Sequence, residues 1–426
     1  MDYNVFLLRL GLDPSQFINR LNEPIKTEDG WLYKVEQKSE GYHCPFCRHD
    51  VLYIHDYNTV KINCRETQLI NDVLKIRKVR LRCKKCRKTF TPPLRGIERK
   101  NTVSNQTLQL IYSEFTEGLT FAAIAKKYGI TTARVMQIFD DKVKFVPRRP
   151  LPEVLCIDEI RFSKNKDQQF VCILYDFHGK EIVDVIRNRQ MPYLREYFSE
   201  INPIERNKVK FIISDMYDGY ATIARYYFKN AVHIVDTFHV IRLLTTALNQ
   251  IRVRTMNLKA IKGSPEYNFM KKNWRFFLTR PHLIPDKYYT YQKTGEMFHY
   301  DKLLRMCLAL NDDLLTGYNI LQDLFRYDMR FTFDEALRFI ERISLNLRDA
   351  HSELLHAVGR SYHKWRVEIA SAFSYTQNKI RYSNAIAESI NNQIKTITKA
   401  AYGYNNFERF RKRVMLIITY KKRPGI

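Results

Sequence analysis

The chain has 426 residues, 45% of them hydrophobic and 13% aromatic, and a formal net charge of +26 at pH 7. This composition excludes global disorder and favours two or three domains with substantial cores. Because Lys and Arg bind phosphates and release condensed counterions, the charge indicates a polyanionic partner, nucleic acid before a membrane surface. With no apolar run of about 18 residues and no recognisable signal peptide, we expect a cytoplasmic protein.

The chain falls into segments that differ in composition and periodicity. The N-terminal segment contains two CxxC pairs and few helical patterns, and a wholly helical segment follows it. Three prolines in residues 145–153 predict a linker, because proline lacks the amide donor that helices and sheets need. Strands and helices then alternate before a long helical stretch. The predicted domains are residues 1–100, 101–146, 147–240, 241–375 and 376–426.

Two cysteine pairs, CPFC and CKKC, predict a metal site in the first domain. Each two-residue spacer lets one turn supply two thiolates, and four thiolates suit one structural Zn²⁺ in a zinc ribbon. The predicted ligands are Cys44, Cys47, Cys83 and Cys86. Reduced cysteines in a small fold are the alternative. Cys64 is expected to be buried, and the possible substitute ligands are His43, His49 and His55.

The second cysteine pair lies in a strongly basic stretch. Residues 75–100 carry twelve Lys and Arg against one acidic residue, Glu98. This density beside a zinc ribbon predicts contact with DNA phosphates, with a solvated charged surface as the alternative. The candidate contacts are Lys84, Lys85, Arg87 and Lys88.

Residues 119–141, LTFAAIAKKYGITTARVMQIFDD, predict a helix-turn-helix. Gly129 stands where the turn needs positive φ, and Val135 and Ile138 point inward from the second helix. An ordinary helical hairpin that binds nothing is the alternative. In a recognition helix, the outward side chains would reach bases or phosphates. These are Thr132, Arg134 and Gln137.

The domain after the linker predicts three strands, a helix, a strand, a helix and a strand, which make a mixed α/β sheet. The predicted strands are 154–158, 169–177, 181–187, 208–215 and 231–236, and the predicted helices are 191–201 and 218–228. In a sheet of the ribonuclease-H type, the first and fourth of these strands are neighbours.

Two aspartates, Asp158 and Asp215, end the first and fourth predicted strands. Two adjacent carboxylates repel unless a cation lies between them, so we predict Mg²⁺ or Mn²⁺ bound by oxygen ligands. A third carboxylate would complete a two-metal site for in-line attack at phosphate. Each aspartate alone could instead be a strand-end cap. Glu159 is a rival ligand, but neighbouring strand residues point to opposite faces.

The segment RYSNAIAESINNQIK, residues 381–395, predicts a helix whose polar side consists mostly of amides and hydroxyls. Asn384, Glu388 and Asn391 share one face of this helix, because residues three and four apart are neighbours. There the amides would donate hydrogen bonds to phosphate without adding charge, and Glu388 would be the third carboxylate. An exposed Glu on a polar helix is the alternative.

The motif order resembles that of bacterial DDE transposases of the ISL-three insertion-sequence family across nearly the whole chain. The motifs are CPFC, CKKC, CIDE, SDMYDGY, VDTFHV, SNAIAESINNQIK and AYGYNNFERFRKRV. The last two blocks and the Asp-x-Phe-His at 236–239 are the most specific of them. The resemblance implies that Asp158, Asp215 and Glu388 are the catalytic carboxylates and that residues 241–375 form an all-α insertion.

The implied protein is multidomain α+β. A zinc ribbon and a helix-turn-helix domain would precede a ribonuclease-H-like catalytic domain interrupted by the insertion. It would use two Mg²⁺ or Mn²⁺ ions per active site and one structural Zn²⁺. Its partners would be double-stranded DNA at terminal inverted repeats and at the target, and a second copy in a homodimer, with no membrane and no small-molecule substrate. A DNA-binding regulator and a structure-specific nuclease on the same fold are the alternatives.

Five further residues complete the predicted site. Three basic residues near the C-terminus lie away from the apolar stripe of a predicted helix, so DNA backbone contact is expected, with a solvated helix face as the alternative. They are Arg409, Lys412 and Arg413. Asp236 and His239 are expected to support the metal ligands or to contact DNA, and a buried, hydrogen-bonded histidine is the alternative for His239.

Overall fold

A computed structural model gives the fold of most of the chain. The described residues are 3–19, 23–28, 30–64, 72–97, 103–163, 169–326, 332–374, 376–377, 380–383, 385–400, 404 and 406–420. They form two compact units, residues 1–147 with 393–426 and residues 148–392. The C-terminal residues thus cluster with the N-terminal ones, whereas the sequence grouped them with the catalytic domain. The five predicted domains stay predictions.

The protein is a mixed α+β structure with several sheets. The strands are β1 Phe17–Asn19, β2 Ile25–Lys26, β3 Trp31–Gln37, β4 Leu52–Cys64, β5 Asp72–Cys83, β6 Thr89–Phe90, β7 Val154–Arg161, β8 Phe170–Asp176, β9 Glu181–Ile186, β10 Phe211–Ser214, β11 Val232–Val235, β12 Tyr288–Thr290, β13 Met297–His299, β14 Thr376–Gln377 and β15 Ile380–Arg381.

The helices cover much of the second unit. They are α1 Tyr3–Arg9, α2 Asn105–Glu114, α3 Phe121–Tyr128, α4 Thr132–Lys142, α5 Met191–Ser199, α6 Pro203–Arg206, α7 Asp218–Tyr227, α8 Thr237–Met256, α9 Pro265–Lys272, α10 Tyr300–Leu308, α11 Asp312–Arg326, α12 Phe333–Asp349, α13 Glu353–Lys364, α14 Arg366–Ser374, α15 Ala385–Ala400 and α16 Phe407–Val414. None of the described helices is both long and apolar enough to cross a membrane.

The first unit contains a sheet of order β1-β3-β5-β4, with β2 added to β3 and β6 to β5. The long antiparallel pair of β4 and β5 runs from Leu52 opposite Cys83 to Cys64 opposite Asp72. Apolar residues of β3 and β5 pack against α1, where the ring of Phe6 stacks on that of Tyr33. Burial of these apolar side chains stabilises the packing of α1 on the sheet.

Helices α2, α3 and α4 form a second core in the same unit. The side chains of Thr120 and Thr131 cap α3 and α4, and Gly129 between the two helices has φ of +62°. Val135 and Ile138 of α4 are buried. The two helices and the turn predicted over 119–141 are therefore present.

The second unit contains a sheet of order β11-β10-β7-β8-β9. Strand β10 is parallel to β7 and to β11, whereas β7, β8 and β9 form an antiparallel meander. Helices α5 and α7 cover one face through Leu194, Phe198, Tyr220 and Ile223. This order confirms the predicted succession of strands and the predicted adjacency of the first and fourth.

A mainly helical layer follows β11 and packs around its own core. Helices α8 to α14 bury a large apolar cluster that includes Leu248, Leu321 and Ile340. The sequence predicted helix throughout this stretch. The structure corrects this, because β12 and β13 form a short antiparallel hairpin between α9 and α10.

Candidate active site and metal centre

Asp158 and Asp215 lie on neighbouring strands of the second unit. In the parallel pairing of β7 with β10, Cys156 is opposite Ile213, and Asp158 and Asp215 each lie two residues beyond this pair. Asp215 directly follows β10, as predicted. Asp158 does not end its strand, because β7 continues to Arg161 in pairing with β8. Both aspartates therefore lie near the point where the parallel pairing stops, close enough for the charge of Asp215 to act on Asp158.

Burial makes both aspartates hard to ionise. It raises the pKa of Asp158 to about 6, against the opposing effects of the Glu159 backbone N–H and of His239, and the charge of Asp215 adds to the increase. Burial also raises the pKa of Asp215, with a further contribution from Glu159. Within the described part of the chain, Oδ1 of Asp215 is buried without a hydrogen-bond partner. Such an oxygen is suited to a cation.

Asp236 and His239 adjoin this pair at the start of α8. Asp236 caps the helix by accepting from the Phe238 N–H at 3.3 Å, and its other oxygen lies 3.2 Å from His239 Nδ1. The hydrogen bond to Asp236 raises the pKa of His239 against burial, and Asp215 and Asp158 raise it further. A protonated, half-buried imidazole here would partly offset the charges of the aspartates.

Glu159 is paired with Arg189, a residue that the sequence interpretation missed. Arg189 Nη1 lies 2.6 Å from Glu159 Oε2. Its guanidinium is 4.7 Å from the ring centroid of Phe170 and 5.3 Å from that of Tyr217. The chain has 71 Lys and Arg residues, so nothing in the sequence marks Arg189 as part of a site. Its position beside Asp215 comes from the fold alone.

Helix α15 approaches the aspartates through Asn391. This side chain is 6% exposed, and its Nδ2 donates to Asp158 Oδ2 at 2.7 Å. The hydroxyl of Tyr175 donates to Asn391 Oδ1. Asn391 was predicted to face phosphate, and the structure gives it these two partners in the protein instead. Asn384, predicted on the same face, lies outside the described residues.

Glu388 lies one turn before Asn391 on α15 and is exposed. Among the described residues, only the four cysteines place three or more possible ligand atoms within 4.8 Å of one another. The structure therefore brings Asp158 and Asp215 together, and it sets Glu388 on the adjoining helix without clustering its carboxylate with theirs.

The four predicted cysteine ligands come together in the first unit. Cys44 Sγ lies 3.5 Å from Cys86 Sγ, and Cys47 Sγ lies 3.5 Å from Cys83 Sγ. Burial raises the pKa of Cys44, but N–H groups of the backbone and the nearby thiols lower it more, to about 7. Four sulfur atoms at this spacing fit the tetrahedral site of Zn²⁺. Cys64 is buried outside the cluster, as predicted.

The two cysteine turns have the same backbone geometry. Arg48 and Arg87, each directly after the second cysteine of its pair, have φ of 58° and 57°. Each arginine donates its N–H to the carbonyl of the first cysteine, at 2.8 Å for Cys44 and 3.0 Å for Cys83. The left-handed residue turns the chain so that both thiols of a pair point to one side.

The predicted DNA contacts of the first unit differ in exposure. The basic residues of the second cysteine turn are exposed, and Lys88 lies 4.9 Å from the ring centroid of Phe46. The exposed set is Lys84, Lys85, Arg87 and Lys88. On α4, Gln137 is exposed, Thr132 and Arg134 are half-buried, and Arg134 donates to Gln137 at 2.7 Å.

The C-terminal basic residues do not all point to solvent. Arg413 is 1% exposed and donates to the carbonyls of Phe115 and Leu119. The prediction that it lies away from the apolar stripe is therefore wrong, because its guanidinium satisfies buried carbonyls. Arg409 pairs with Asp140 at 2.6 Å, and Lys412 is half-buried.

Comparisons with known proteins show the family of this chain. A family model described as a transposase, for the ISL3 (ISL-three) group of DDE enzymes, matches residues 155–414. That range is more than half of the chain and contains both aspartates and Glu388. The chain is also similar to the transposase for insertion sequence element IS1001 of Bordetella parapertussis. The two are 22% identical over 355 residues, which cover 79% of each chain.

Proposed function

We propose that this chain, which belongs to the ISL3 family of DDE transposases, uses Asp158, Asp215 and Glu388 as the carboxylates of DNA transposition. The observation that carries the proposal is the placement of Asp158 and Asp215, each two residues beyond the paired Cys156 and Ile213 of neighbouring parallel strands, with the pKa of each raised. Two half-buried carboxylates on neighbouring strands repel each other unless a cation compensates their charges. Glu388, which is exposed on α15 one turn before Asn391, would be the third carboxylate.

The residues present fit Mg²⁺ or Mn²⁺. All donors are carboxylate oxygens, which hard divalent cations prefer, and Asp215 Oδ1 has no hydrogen-bond partner among the described residues. Two such ions, when bound, supply activation of the attacking oxygen and stabilisation of charge on the leaving oxygen. The side chains of Asp158 and Asp215 would hold them, with Glu388 as the third ligand.

The other residues of the site act on charge and orientation. Both oxygens of Asp158 accept a hydrogen bond, from the Glu159 N–H at 2.8 Å and from Asn391 Nδ2 at 2.7 Å. These two donors favour the ionised carboxylate and fix its plane. His239, held by Asp236, would offset the aspartates when it is protonated, and the guanidinium of Arg189 offsets the charge of Asp215.

Transposition then needs two in-line reactions at this site. Water cuts the DNA at the end of the element and leaves a 3′-hydroxyl, and that hydroxyl attacks the target DNA. The first unit would hold the ends. Its four cysteines would bind one Zn²⁺ in a zinc ribbon, and its exposed cations together with α4 would contact the terminal inverted repeats.

Three features of the architecture belong to the same proposal. The sheet of the second unit is taken as ribonuclease-H-like, because its first three strands are an antiparallel meander and the fourth is parallel to the first. The helical layer after β11 is taken as the insertion before the Glu388 helix. Pairing two DNA ends requires at least a homodimer in the active complex.

The test is cleavage of end DNA by Asp158→Asn protein. We expect end binding to persist while cleavage falls roughly 10³-fold or more, because several kcal/mol of transition-state stabilisation are lost. Asp218→Asn is the matched control. Asp218 is an exposed carboxylate beside the same sheet, and its side chain pairs with Lys364. Undiminished cleavage by Asp158→Asn would overturn the assignment. Cleavage without strand-transfer products by the native protein would indicate a nuclease.

A further inference from the structure

We propose that Tyr175 and Asn391 form a hydrogen-bonded bridge that positions Asp158 and the N-terminal half of α15 for cation binding. The inference rests on the proposed function and adds two positioning residues to it. Neither side chain is an acid or a base in the reaction. Their role follows from what each can donate and accept.

The bridge fixes which way the amide of Asn391 points. An amide nitrogen can only donate and an amide oxygen can only accept, whereas a tyrosine hydroxyl can do both. With the Tyr175 hydroxyl donating to Oδ1, the NH₂ group is turned toward Asp158 Oδ2 at 2.7 Å. The reversed amide would place its oxygen against the carboxylate, which repels it. Tyr175 therefore selects the orientation that stabilises ionised Asp158.

Burial strengthens both bonds. Tyr175 is 0% exposed and Asn391 is 6% exposed, so water has little access to the hydroxyl and the amide that form these bonds. Asp158 Oδ1 is already occupied by the Glu159 N–H. The carboxylate is thus held at both oxygens, and each oxygen keeps a second lone pair for a metal ion.

The bridge also joins parts of the chain that are far apart. Tyr175 is opposite Cys156 in the pairing of β8 with β7, and Asn391 lies 216 residues after Tyr175 in the chain. Glu388 is three residues before Asn391, so one helical turn separates it from the fixed amide. The bridge therefore sets the register of α15 against the sheet at the turn that carries Glu388.

The experiment compares two tyrosine variants of the full-length, zinc-loaded protein. Tyr175→Phe removes the donor of the bridge. Tyr362→Phe is the matched control, because Tyr362 is also 0% exposed and its hydroxyl donates to the Val240 carbonyl at 2.7 Å, not to Asn391 or to either aspartate. Mn²⁺ binding is measured without DNA from the paramagnetic resonance of free Mn²⁺.

We expect Tyr175→Phe to weaken Mn²⁺ binding on the order of tenfold, the range found for groups that orient metal ligands. Tyr362→Phe is expected to bind Mn²⁺ within twofold of the native protein, although both variants lower the melting temperature. In an Asn391→Leu background, where the bridge is already lost, Tyr175→Phe should add no further loss. This non-additivity separates a bridge from two independent structural roles.

Asp158→Asn in the same titration separates the two proposals. If it abolishes Mn²⁺ binding while Tyr175→Phe binds like the native protein, the bridge is wrong and the carboxylate site stands. If Asp158→Asn binds Mn²⁺ like the native protein, the carboxylate site is wrong and the bridge falls with it. Equal weakening by Tyr175→Phe and Tyr362→Phe would also overturn the bridge, because general destabilisation would then explain the effect.

Discussion

The two candidate metal sites of this protein are assembled in opposite ways. The thiol site of the first unit uses two four-residue turns with matching backbone geometry, Cys44 to Cys47 and Cys83 to Cys86. The carboxylate site uses two strands and a helix, with Asp158 and Asn391 separated by 233 residues. Short spacing lets a local pattern determine ligand geometry, whereas the second site depends on strand register and on the packing of α15.

The two sites are also expected to contribute differently to the stability of the fold. Both turns of the thiol site lie at the open end of the β4–β5 hairpin, where Leu52 is opposite Cys83, so a bound ion would hold that end closed. The carboxylate site lies at a sheet that packs on its own apolar core, and its half-buried charges oppose folding. We therefore expect metal to stabilise the first unit strongly and the second only by relieving repulsion.

The largest effect is expected from Cys83→Ser. Loss of one thiolate should release Zn²⁺ and remove the cooperative unfolding transition of the first unit, because structural zinc sites contribute roughly 10 kcal/mol to small modules. Zinc content by mass spectrometry and calorimetric melting measure this. Cys64→Ala is the control, since Cys64 is buried outside the cluster and should keep stoichiometric zinc. Full zinc content in Cys83→Ser would contradict the assignment.

A smaller effect is expected from Arg413→Leu. The variant leaves the buried carbonyls of Phe115 and Leu119 without their donor and should lower the free energy of unfolding of the first unit by about 2–4 kcal/mol. Chemical denaturation measures it. Lys412→Gln, next in sequence and half-buried, should leave stability within about 0.5 kcal/mol. Native stability of Arg413→Leu together with lost DNA affinity would restore the original prediction of a DNA contact.

The smallest expected effect is the pH dependence of the free energy of unfolding that the Asp158 carboxylate causes. In the folded protein its pKa is about 6 against an ordinary value of 3.8, so folding favours the protonated form. This stabilisation is complete below about pH 4 and is lost as the pH rises through 6. Without divalent cations, Asp158→Asn should therefore be more stable than the native protein at pH 7.5, by up to about 3 kcal/mol.

Urea denaturation at several pH values checks this last expectation. The gain of Asp158→Asn should shrink toward pH 4, and added Mn²⁺ should stabilise the native protein more than the variant. Asp218→Asn, which changes an exposed carboxylate, should show neither dependence. A gain in stability that does not vary with pH would show that burial of charge at Asp158 is not the cause.

Much of the carboxylate site followed from sequence pattern. Two apolar runs that end in Asp predicted buried strands, and the order of strands and helices predicted their adjacency, which the parallel pairing of β7 and β10 confirms. The continuation of β7 beyond Asp158 was missed, because pairing with β8 extends the strand past the point where the apolar run ends. Arg189 was missed because nothing in its neighbourhood marks it.

Side-chain direction was the weakest part of the sequence interpretation. The helical period of residues 407–417 suggested that Arg413 faces solvent, yet it is buried against carbonyls of the loop between α2 and α3. Asn391 shares a helix face with Glu388 and was expected to contact DNA. A helical wheel gives the angle between two residues, and it does not say which neighbour each one meets.

Three features could be predicted from the sequence: the cysteine turns, the two helices within residues 119–141 and the succession of strands around Asp158 and Asp215. These depend on interactions within a few residues or on the pairing rules of strands, both of which leave periodic patterns. Folding of the whole chain is what joins Tyr175, Asn391 and Asp158 through hydrogen bonds and pairs Arg189 with Glu159. Contacts between residues far apart in the chain depend on how packed elements meet, and no local pattern encodes them.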